Sequence, residues 1–310
     1  MCGLFGFSRY GNEEIKGLST LTNALAVESS IRGTDATGIA INNNGGLKIV
    51  KDSKSAYKME FQHSDDIVAC TGHNRHSTQG NCKKNYNNHP FKGVYKGFNF
   101  ALCHNGVLSN DKSLRREYDL PKTKIETDSY IAVQLLESQS RLNFNSIKYM
   151  AEKTEGSFSY TILDQKNNIY LVKGDSPLSI LHFPKQKIYV YASTDEILYK
   201  ALIDSPLFSS LKNGEFEMVE ISEGDILKIC PDGTIKKNTF NYSYYYGRNW
   251  WDYGRYPYAS LLDDNYGQED NYISDLKSIA IFQGITESEI DDLLAQGFTP
   301  QEIEDYIYEF

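Results

Sequence analysis

The first residues of the chain, Met1-Cys2-Gly3, could supply a nucleophile and a base from one residue. Methionine aminopeptidase removes Met1 when the second residue is small, so we expect the mature chain to begin with Cys2. The thiolate is the reactive form, and an α-amine with a pKa near ~8 could take the thiol proton close to neutral pH. The alternative is a buried cysteine at the start of an apolar strand, because free cysteines are among the most buried residues.

Four polar segments, far apart in the sequence, could complete a site around Cys2. They are residues 32–38, residues 73–80, Asn105-Gly106 and Glu126-Thr127-Asp128. Each lies at the end of a predicted strand or helix, where side chains from different elements can meet. Asp128 has a second interpretation, because Thr, Asp and Ser at a helix start commonly cap its first turn.

A metal site is a further hypothesis for part of these segments. Cys70, His73, His76 and Cys82 have spacings like those of metal ligands. A structural zinc site needs four converging nitrogen or sulfur ligands, and on a strand His73 and His76 lie on opposite faces. We therefore expect no metal site.

The elements that must position these residues follow from hydrophobic periodicity. Helices are predicted over residues 14–30, 127–137, 145–153 and 194–202. Strands are predicted over residues 38–41, 47–50, 67–75, 98–103, 157–163, 169–173, 178–182, 187–192, 215–221 and 225–229. His104-Asn105-Gly106 is predicted as a turn. Strands and helices in blocks, without βαβ alternation, favour an α+β fold in which helices cover the outer faces of two antiparallel sheets.

Composition limits the cellular setting. The 310 residues are 40% hydrophobic, and no apolar run approaches the ~18 residues of a membrane span. Five cysteines, without a close CxxC pair, argue against a disulfide framework or a structural zinc site. We expect a cytoplasmic protein with reduced thiols and no membrane partner.

The net charge of −9 is unevenly distributed along the chain. Residues 263–310 hold thirteen acidic residues and one basic residue, Lys277, so this tail carries −12 and the rest of the chain sums to +3. An acidic tail repels nucleic acid, and the rest of the chain is too weakly basic to follow a phosphate backbone. We expect no nucleic-acid partner.

The predicted catalytic domain spans residues 2–239 and is followed by two segments of different character. Residues 240–272 are rich in Tyr, Asn and Gly, as in a linker or arm. Residues 273–310 form a small acidic helical module, with a capping box at Thr286-x-x-Glu289 and another at Thr299-Pro300-x-Glu302. This module could dock a partner protein or could pack on the back of the catalytic domain.

Taken together and in order, these motifs resemble the class II glutamine amidotransferases, the cysteine branch of the N-terminal nucleophile (Ntn) hydrolases. The glutaminase domains of glucosamine-6-phosphate synthase and amidophosphoribosyltransferase are the members in view. The resemblance covers residues 1 to about 230 and includes, after Met-Cys-Gly, the segments Arg32 to Gly38, Arg75 to Gly80, Asn88-His89-Pro90-Phe91, His104-Asn105-Gly106, Glu126-Thr127-Asp128, Gly174 to Leu178 and Ala192 to Asp195. It implies a four-layer αββα sandwich.

The resemblance also implies a role for each matching residue. Cys2 attacks the side-chain amide of L-glutamine to form a thioester, and its α-amine shuttles the proton to departing ammonia. Asn105 and the Gly106 N–H hold the developing oxyanion. The remaining positions bind substrate or order the site: Arg75 takes the α-carboxylate, Asp128 the α-ammonium, Thr78 and Gln79 line the pocket, and Arg32 orients the nucleophile. This chemistry needs no cofactor.

The chain departs from the named relatives in two respects. Many relatives have Trp or Tyr after the arginine and His or Asn at the place of Gln79. The domain that consumes ammonia in those relatives has no counterpart in the roughly 80 residues after position 230. The favoured reading is a glutaminase that passes ammonia to a separate acceptor or synthetase protein. The alternatives are an amidase acting on another γ-glutamyl compound and a non-catalytic binding module.

Overall fold

The structure, a computed structural model, describes residues 2–11, 15–43, 46–242 and 286–296, together with residues 298, 299 and 303. The chain divides into two units between Tyr245 and Tyr246. Each unit is described by itself.

The first sheet contains the strand that begins next to Cys2. Its strands within the described residues are β1 (Gly3–Arg9), β2 (Ala36–Asn43), β3 (Gly46–Asp52), β4 (Ala69–Arg75), β9 (Ser179–Phe183), β10 (Ile188–Ala192) and β11 (Glu217–Met218). They lie in the order β11-β9-β10-β1-β4-β2-β3, and every neighbouring pair is antiparallel. β1 is therefore hydrogen-bonded on both sides.

The second sheet carries the Asn105-Gly106 segment. Its described strands are β5 (Phe91–Tyr95), β6 (Phe98–Leu108), β7 (Gly156–Asp164), β8 (Ile169–Lys173), β12 (Asp225–Ile229) and β13 (Ile235–Thr239). Their order is β13-β12-β8-β7-β6-β5, again with antiparallel neighbours.

Helices cover the outer face of each sheet. α1 (Leu18–Glu28), α5 (Asp195–Ile203) and α6 (Phe208–Lys212) accompany the first sheet, and α2 (Asp111–Glu117), α3 (Tyr130–Glu137) and α4 (Phe144–Lys153) accompany the second. A third apolar cluster, which includes Ala40, Ala101, Leu171 and Tyr191, lies between the sheets. The predicted αββα sandwich of two antiparallel sheets is confirmed.

Strand parity separates the layers at β4. Cys70 packs with the helix-facing cluster, whereas Thr71 points to the other sheet and its Oγ1 lies 2.6 Å from Thr161 Oγ1. His73 points the same way as Thr71 and contacts the carbonyl oxygen of His104. The parity predicted for this strand therefore holds, and Cys70 and His73 lie on opposite faces.

Helix α1 begins later than predicted. Gly17 precedes it in a left-handed conformation, with φ of 85°. The Asp65 carboxylate accepts hydrogen bonds from the N–H groups of Gly17 and Leu18, at 3.0 and 2.9 Å. A side chain distant in sequence thus satisfies the first free N–H groups, which local sequence cannot show.

The prediction of a turn at His104-Asn105-Gly106 is wrong. β6 continues through these residues to Leu108, with Asn105 opposite Ser159 and Gly106 opposite Phe158. Asn and Gly favour turns when no partner competes, but here β7 offers a complete ladder. The extension places the Asn-Gly pair inside the sheet and beside the start of β1.

The packed part of the first unit extends to Tyr242. Phe240 is 5% exposed and its ring stacks on Phe158 at a centroid distance of 5.9 Å. Tyr242 meets the same ring edge-on at 5.3 Å and contacts the Gly156 carbonyl oxygen at 3.3 Å. The beginning of the tyrosine-rich segment therefore packs behind the strand that pairs with Gly106.

In the second unit, the described helix is α7 (Glu287–Ala295). The predicted capping box is present, because Thr286 Oγ1 accepts from the Glu289 N–H and the Glu289 carboxylate accepts from the Thr286 N–H. Most of the predicted linker, residues 273–285 of the predicted module and most of the helix predicted to begin at Thr299 lie outside the described residues. The docking role of the acidic tail stays a prediction.

Replacing Phe240 by Ala tests whether this residue belongs to the folded domain. We expect Phe240→Ala to lower the free energy of unfolding by about 3 kcal/mol, because a buried aromatic ring leaves a cavity. Urea denaturation measures the change. Tyr57→Ala is the control, since Tyr57 is 70% exposed and should change stability by about 0.5 kcal/mol or less. Equal effects of the two variants would place Phe240 in a linker.

Candidate active site

Cys2 lies at the start of β1 and is partly buried. Its Sγ accepts from the His76 N–H at 3.4 Å and its S–H donates to the His76 carbonyl oxygen at 3.5 Å. Arg32 Nε donates to the Cys2 carbonyl oxygen at 2.8 Å. The thiol is thus held at the end of β4, on the same side of the sheet edge as residues 75 and 76.

Gly33 allows this close approach. A Cβ at Gly33 would lie 2.4 Å from the Arg75 carbonyl carbon, so any side chain would push the 3-10 turn Ser29–Arg32 away from β4. The next acidic residue completes the joint, because Asp35 Oδ2 accepts from the Ser77 N–H at 2.7 Å. The Arg-Gly-x-Asp motif therefore packs against the backbone of residues 75–77, next to Cys2.

Arg75 is buried at the end of β4, and its guanidinium is held by oxygen atoms of the following loop. Nη2 donates to the carbonyl oxygens of Gln79 and Gly80 at 2.7 and 2.9 Å. Nη1 donates to Asn88 Oδ1 at 2.6 Å. Within the described residues no carboxylate pairs with Arg75, so its charge is available for an anionic ligand.

Asn105 and Gly106 lie on β6 of the second sheet. Asn105 is 1% exposed, and neither its Oδ1 nor its Nδ2 has a hydrogen-bond partner among the described residues. Gly106 has a φ of 140°, and a Cβ there would lie 1.9 Å from the Ser157 carbonyl oxygen. A buried amide without a partner is costly, so Asn105 is a candidate for hydrogen bonding to a ligand.

Asp128 does not cap α3. Its Oδ2 accepts from the Leu108 N–H at 2.6 Å, and the helix N-cap residue, Ser129, has no side-chain capping bond. Asp128 is 3% exposed and has no cation within ion-pair distance in the described part of the chain. A buried, unpaired carboxylate carries a large desolvation cost, and capping of α3 does not explain its position.

The loop after Arg75 forms one wall of a narrow cleft. Thr78 is exposed and Gln79 Nε2 donates to the Glu126 carbonyl oxygen at 3.0 Å. The Glu126 carboxylate accepts from Lys84 Nζ at 2.5 Å and from Asn87 Nδ2 at 2.8 Å. The hydrogen bond from Lys84 has the largest effect, and together these bonds lower the pKa of the Glu126 carboxyl to about 2. Glu126 is thus an anionic anchor for the loop.

Three buried histidines lie behind the cleft. The His89 ring is 4.1 Å from that of His73 and 6.5 Å from that of His104, measured between centroids. Burial lowers the pKa of His73 to about 3, and it also lowers the pKa of His89 and His104. All three are therefore neutral at physiological pH and supply no positive charge to the thiol.

Burial also raises the pKa of the Cys2 thiol above its ordinary value. The His76 N–H and the Arg75 cation oppose the rise, whereas the Asp128 anion adds to it. Two buried groups of opposite charge therefore bias the same thiol in opposite directions.

The structure brings together most of the residues expected from sequence. Cys2, Arg75, Thr78, Gln79, Gly106 and Asp128 line one cleft with His76, His89, His104, Thr127 and Ser129. Two expected residues, Asn105 and Arg32, do not line this cleft. Asn105 directly precedes Gly106 on β6, and Arg32 donates to the Cys2 carbonyl oxygen. The sequence analysis assigned no role to Asp35, Asn88 or Glu126, although all three lie in the motifs that carried the resemblance.

Neither a second groove nor the metal hypothesis competes with this cleft. An open groove of about 580 Å³ runs along α1 and residues 60–63, but its histidine, His63, is bonded to Thr22 Oγ1.

Two of the candidate metal ligands lie in different surroundings in the structure: Cys70 faces α1, and His76 is exposed beyond the end of β4. No cluster of three potential metal ligands occurs within the described residues, and none of their helices is long and apolar enough to span a membrane.

Part of the chain is similar in sequence to known proteins. Residues 73–200 match the glutamine amidotransferase domain family. Glutamine–fructose-6-phosphate aminotransferase (isomerizing) from Staphylococcus epidermidis is 32% identical over 193 residues, which are 58% of this chain and 30% of that enzyme. The corresponding Bacillus anthracis enzyme is 31% identical over 193 residues, with the same coverage. These matches support a class II glutamine amidotransferase domain in this part of the chain.

Solved structures support the fold of the amidotransferase domain. The Bacillus subtilis glutamine phosphoribosylpyrophosphate amidotransferase, complexed with ADP and GMP, superimposes with a TM-score of 0.61 at 21% identity. The match covers 78% of this chain and 50% of that one. A structure described as the allosteric regulatory enzyme of purine biosynthesis gives the same TM-score at 20% identity, with equal coverage. The chain therefore matches only part of the length of each relative.

The opposed charges around Cys2 predict opposite changes in thiol reactivity. Because the Asp128 anion raises the pKa of Cys2, Asp128→Asn should increase the thiolate fraction and speed alkylation by iodoacetamide at neutral pH. Because the Arg75 cation lowers that pKa, Arg75→Met should slow it. Peptide mapping by mass spectrometry gives the rate at Cys2. Arg116→Met is the control, because Arg116 is an exposed arginine. Changes of the same sign in both variants would contradict this electrostatic account.

Proposed function

We propose that the amidotransferase domain hydrolyses the side-chain amide of L-glutamine through a thioester on Cys2. The observation that carries the proposal is the unpartnered, buried amide of Asn105, which directly precedes Gly106, a residue that lines the cleft where the Cys2 thiol is held. A nucleophile next to unsatisfied donors is the arrangement that acyl transfer requires.

Two buried charges support an α-amino acid as the substrate. Arg75 is a cation held by neutral oxygen atoms, and Asp128 is an anion without a cationic partner in the described residues. The α-carboxylate of glutamine would displace the weaker carbonyl acceptors of Gln79 and Gly80 from Arg75 Nη2, and its α-ammonium would pair with Asp128. Thr78 and Gln79 would line the pocket for the rest of the substrate.

Removal of Met1 would place a free α-amine on Cys2. This amine accepts the thiol proton, and the thiolate attacks the amide carbon of the glutamine side chain. A carbon–sulfur bond forms, and the carbonyl π electrons move to oxygen. When the tetrahedral intermediate collapses, the carbon–nitrogen bond breaks and the α-ammonium returns the proton, so that ammonia leaves and the thioester remains.

Water completes the cycle. The α-amine takes a proton from water as the water oxygen attacks the thioester carbonyl. The carbon–sulfur bond then breaks, and the thiolate recovers the proton while glutamate leaves. In both tetrahedral intermediates the oxyanion would accept from Asn105 Nδ2 and from the Gly106 N–H, each of which contributes about 3 kcal/mol in comparable sites.

We propose further that ammonia passes to an acceptor on a separate protein. The relatives' names pair glutamine with fructose 6-phosphate or phosphoribosyl pyrophosphate. Residues 240–310 contain no glycine-rich loop of the kind that cradles phosphate. Free ammonia released by the isolated chain, with no acceptor present, is the measurable consequence.

An electrophilic glutamine analogue tests the nucleophile directly. We expect 6-diazo-5-oxo-L-norleucine to add once per chain, at Cys2, with Met1 absent, as shown by intact mass and peptide mapping. Ammonia release from L-glutamine should stop in parallel. Cys2→Ala should be unlabelled and inactive but folded, and Cys82→Ala should remain active. Labelling at Cys70, Cys82 or Cys103 in the wild type would remove Cys2 from its role.

Binding and chemistry should separate by mutation. Asn105→Ala removes a donor that acts on the oxyanion, so kcat should fall by about 100-fold or more. Asp128→Asn removes a charge that binds glutamine before and during reaction, so KM should rise by about tenfold or more. Steady-state ammonia release measures both constants. Because the lone carboxylate of Asp128 is costly to bury, Asp128→Asn should not lower the melting temperature. An unchanged KM with a lower melting temperature would make Asp128 a structural residue.

A further inference from the structure

Lys51 reaches the active-site loop from the edge strand β3. Its partner in β2 is Gly38, the last residue of the Arg32 to Gly38 motif. A Cβ at Gly38 would lie 2.5 Å from Lys51 Cβ and 2.4 Å from the His89 carbonyl oxygen. The glycine therefore leaves room for Lys51 to lie against residues 88–90.

The Lys51 ammonium is held by main-chain oxygen atoms. Nζ donates to the carbonyl oxygens of Asn88 and Pro90, the latter at 3.0 Å. The same ammonium lies 5.3 Å from the centre of the Phe91 ring. Charge-assisted hydrogen bonds to carbonyl groups on both sides of His89 fix the backbone of this short segment.

Asn88 passes this constraint to Arg75. Its Nδ2 donates to the Cys82 carbonyl oxygen at 2.9 Å and to Ser53 Oγ at 3.1 Å. The amide nitrogen is thereby directed away from Arg75, and Oδ1 accepts from Arg75 Nη1 at 2.6 Å. The orientation of the guanidinium thus depends on Asn88, whose backbone depends on Lys51.

We propose that Lys51 is a positioning residue that orients Arg75 through Asn88 for the α-carboxylate of glutamine. The inference rests on the proposed function, because the carboxylate role of Arg75 is part of it. A long arginine side chain loses conformational freedom when it binds, so a guanidinium already fixed by Asn88 binds the carboxylate more tightly.

The charge of Lys51 adds a pH dependence. Burial is the main reason that the pKa of Lys51 is lowered to about 8. The Arg75 cation lowers this pKa further, whereas Cys103 raises it. His73 and His89 also face Lys51 and are neutral in this range, because burial lowers the pKa of both. The ammonium is present below about pH 8 and is lost above it, so KM for glutamine should rise more steeply with pH in wild type than in Lys51→Arg, whose guanidinium stays charged.

Kinetics of the full chain test the proposal. Lys51→Met should raise KM for L-glutamine by about tenfold and change kcat by less than about twofold, while Lys51→Arg should restore most of the loss. Lys48→Met is the matched control, because Lys48 is an exposed lysine on the same strand. The effect of Lys51→Met should disappear with glutamine α-methyl ester, which has no carboxylate for Arg75 to bind.

Each outcome gives a decision. Equal KM values for Lys51→Met and Lys48→Met in an active wild-type background overturn this inference alone. A similar loss with glutamine and with its ester also overturns it, because the role of Lys51 is then only structural. Inactive wild-type protein overturns the proposed function and this inference with it. If Lys51→Met does not fold, Lys51→Gln, which keeps an N–H donor but no charge, takes its place in the same comparison.

Discussion

The antiparallel pairing of β1 with β4 is the constraint on which the site depends. The register places Gly3 opposite Asn74, so Cys2 comes next to the residues that follow, Arg75 and His76. β10 holds the other edge of β1, and a strand bonded on both sides cannot slide without breaking two ladders. Residues close to a chain end would otherwise fray. Here the sheet fixes Gly3, the first residue of β1, and with it the position of the adjacent Cys2.

A second constraint is that the two charged side chains around the thiol are buried without an oppositely charged partner. Arg75 and Asp128 are both buried, and neither forms an ion pair in the described residues. Each charge is held instead by neutral groups, the carbonyl oxygens of Gln79 and Gly80 for Arg75 and the Leu108 N–H for Asp128. A zwitterionic ligand that pairs with both would recover part of the desolvation cost.

A third feature is how the motif glycines and asparagines support the residues that line the cleft. Gly33 lets a turn pack on the Arg75 backbone, and Gly38 makes room for Lys51 beside residues 88–90. Asn88 holds Arg75, while Glu126 anchors the loop through Lys84 and Asn87. Several of the sequence motifs are therefore explained by contacts between elements of the fold.

The sequence by itself determined the two-sheet α+β class, because blocks of alternating and helical periodicity depend only on local burial. The motifs also predicted Cys2, Arg75, Asn105, Gly106 and Asp128 as site residues, and the structure brings Cys2, Arg75, Gly106 and Asp128 to one cleft. Only the tertiary structure decided that Asn105-Gly106 lies in a strand, that Asp128 bonds to Leu108 and does not cap α3, and that Asp65 sets the start of α1. Each of these outcomes depends on a partner distant in sequence. A local pattern records the preference of a segment, and the neighbour that the fold supplies decides which preference prevails.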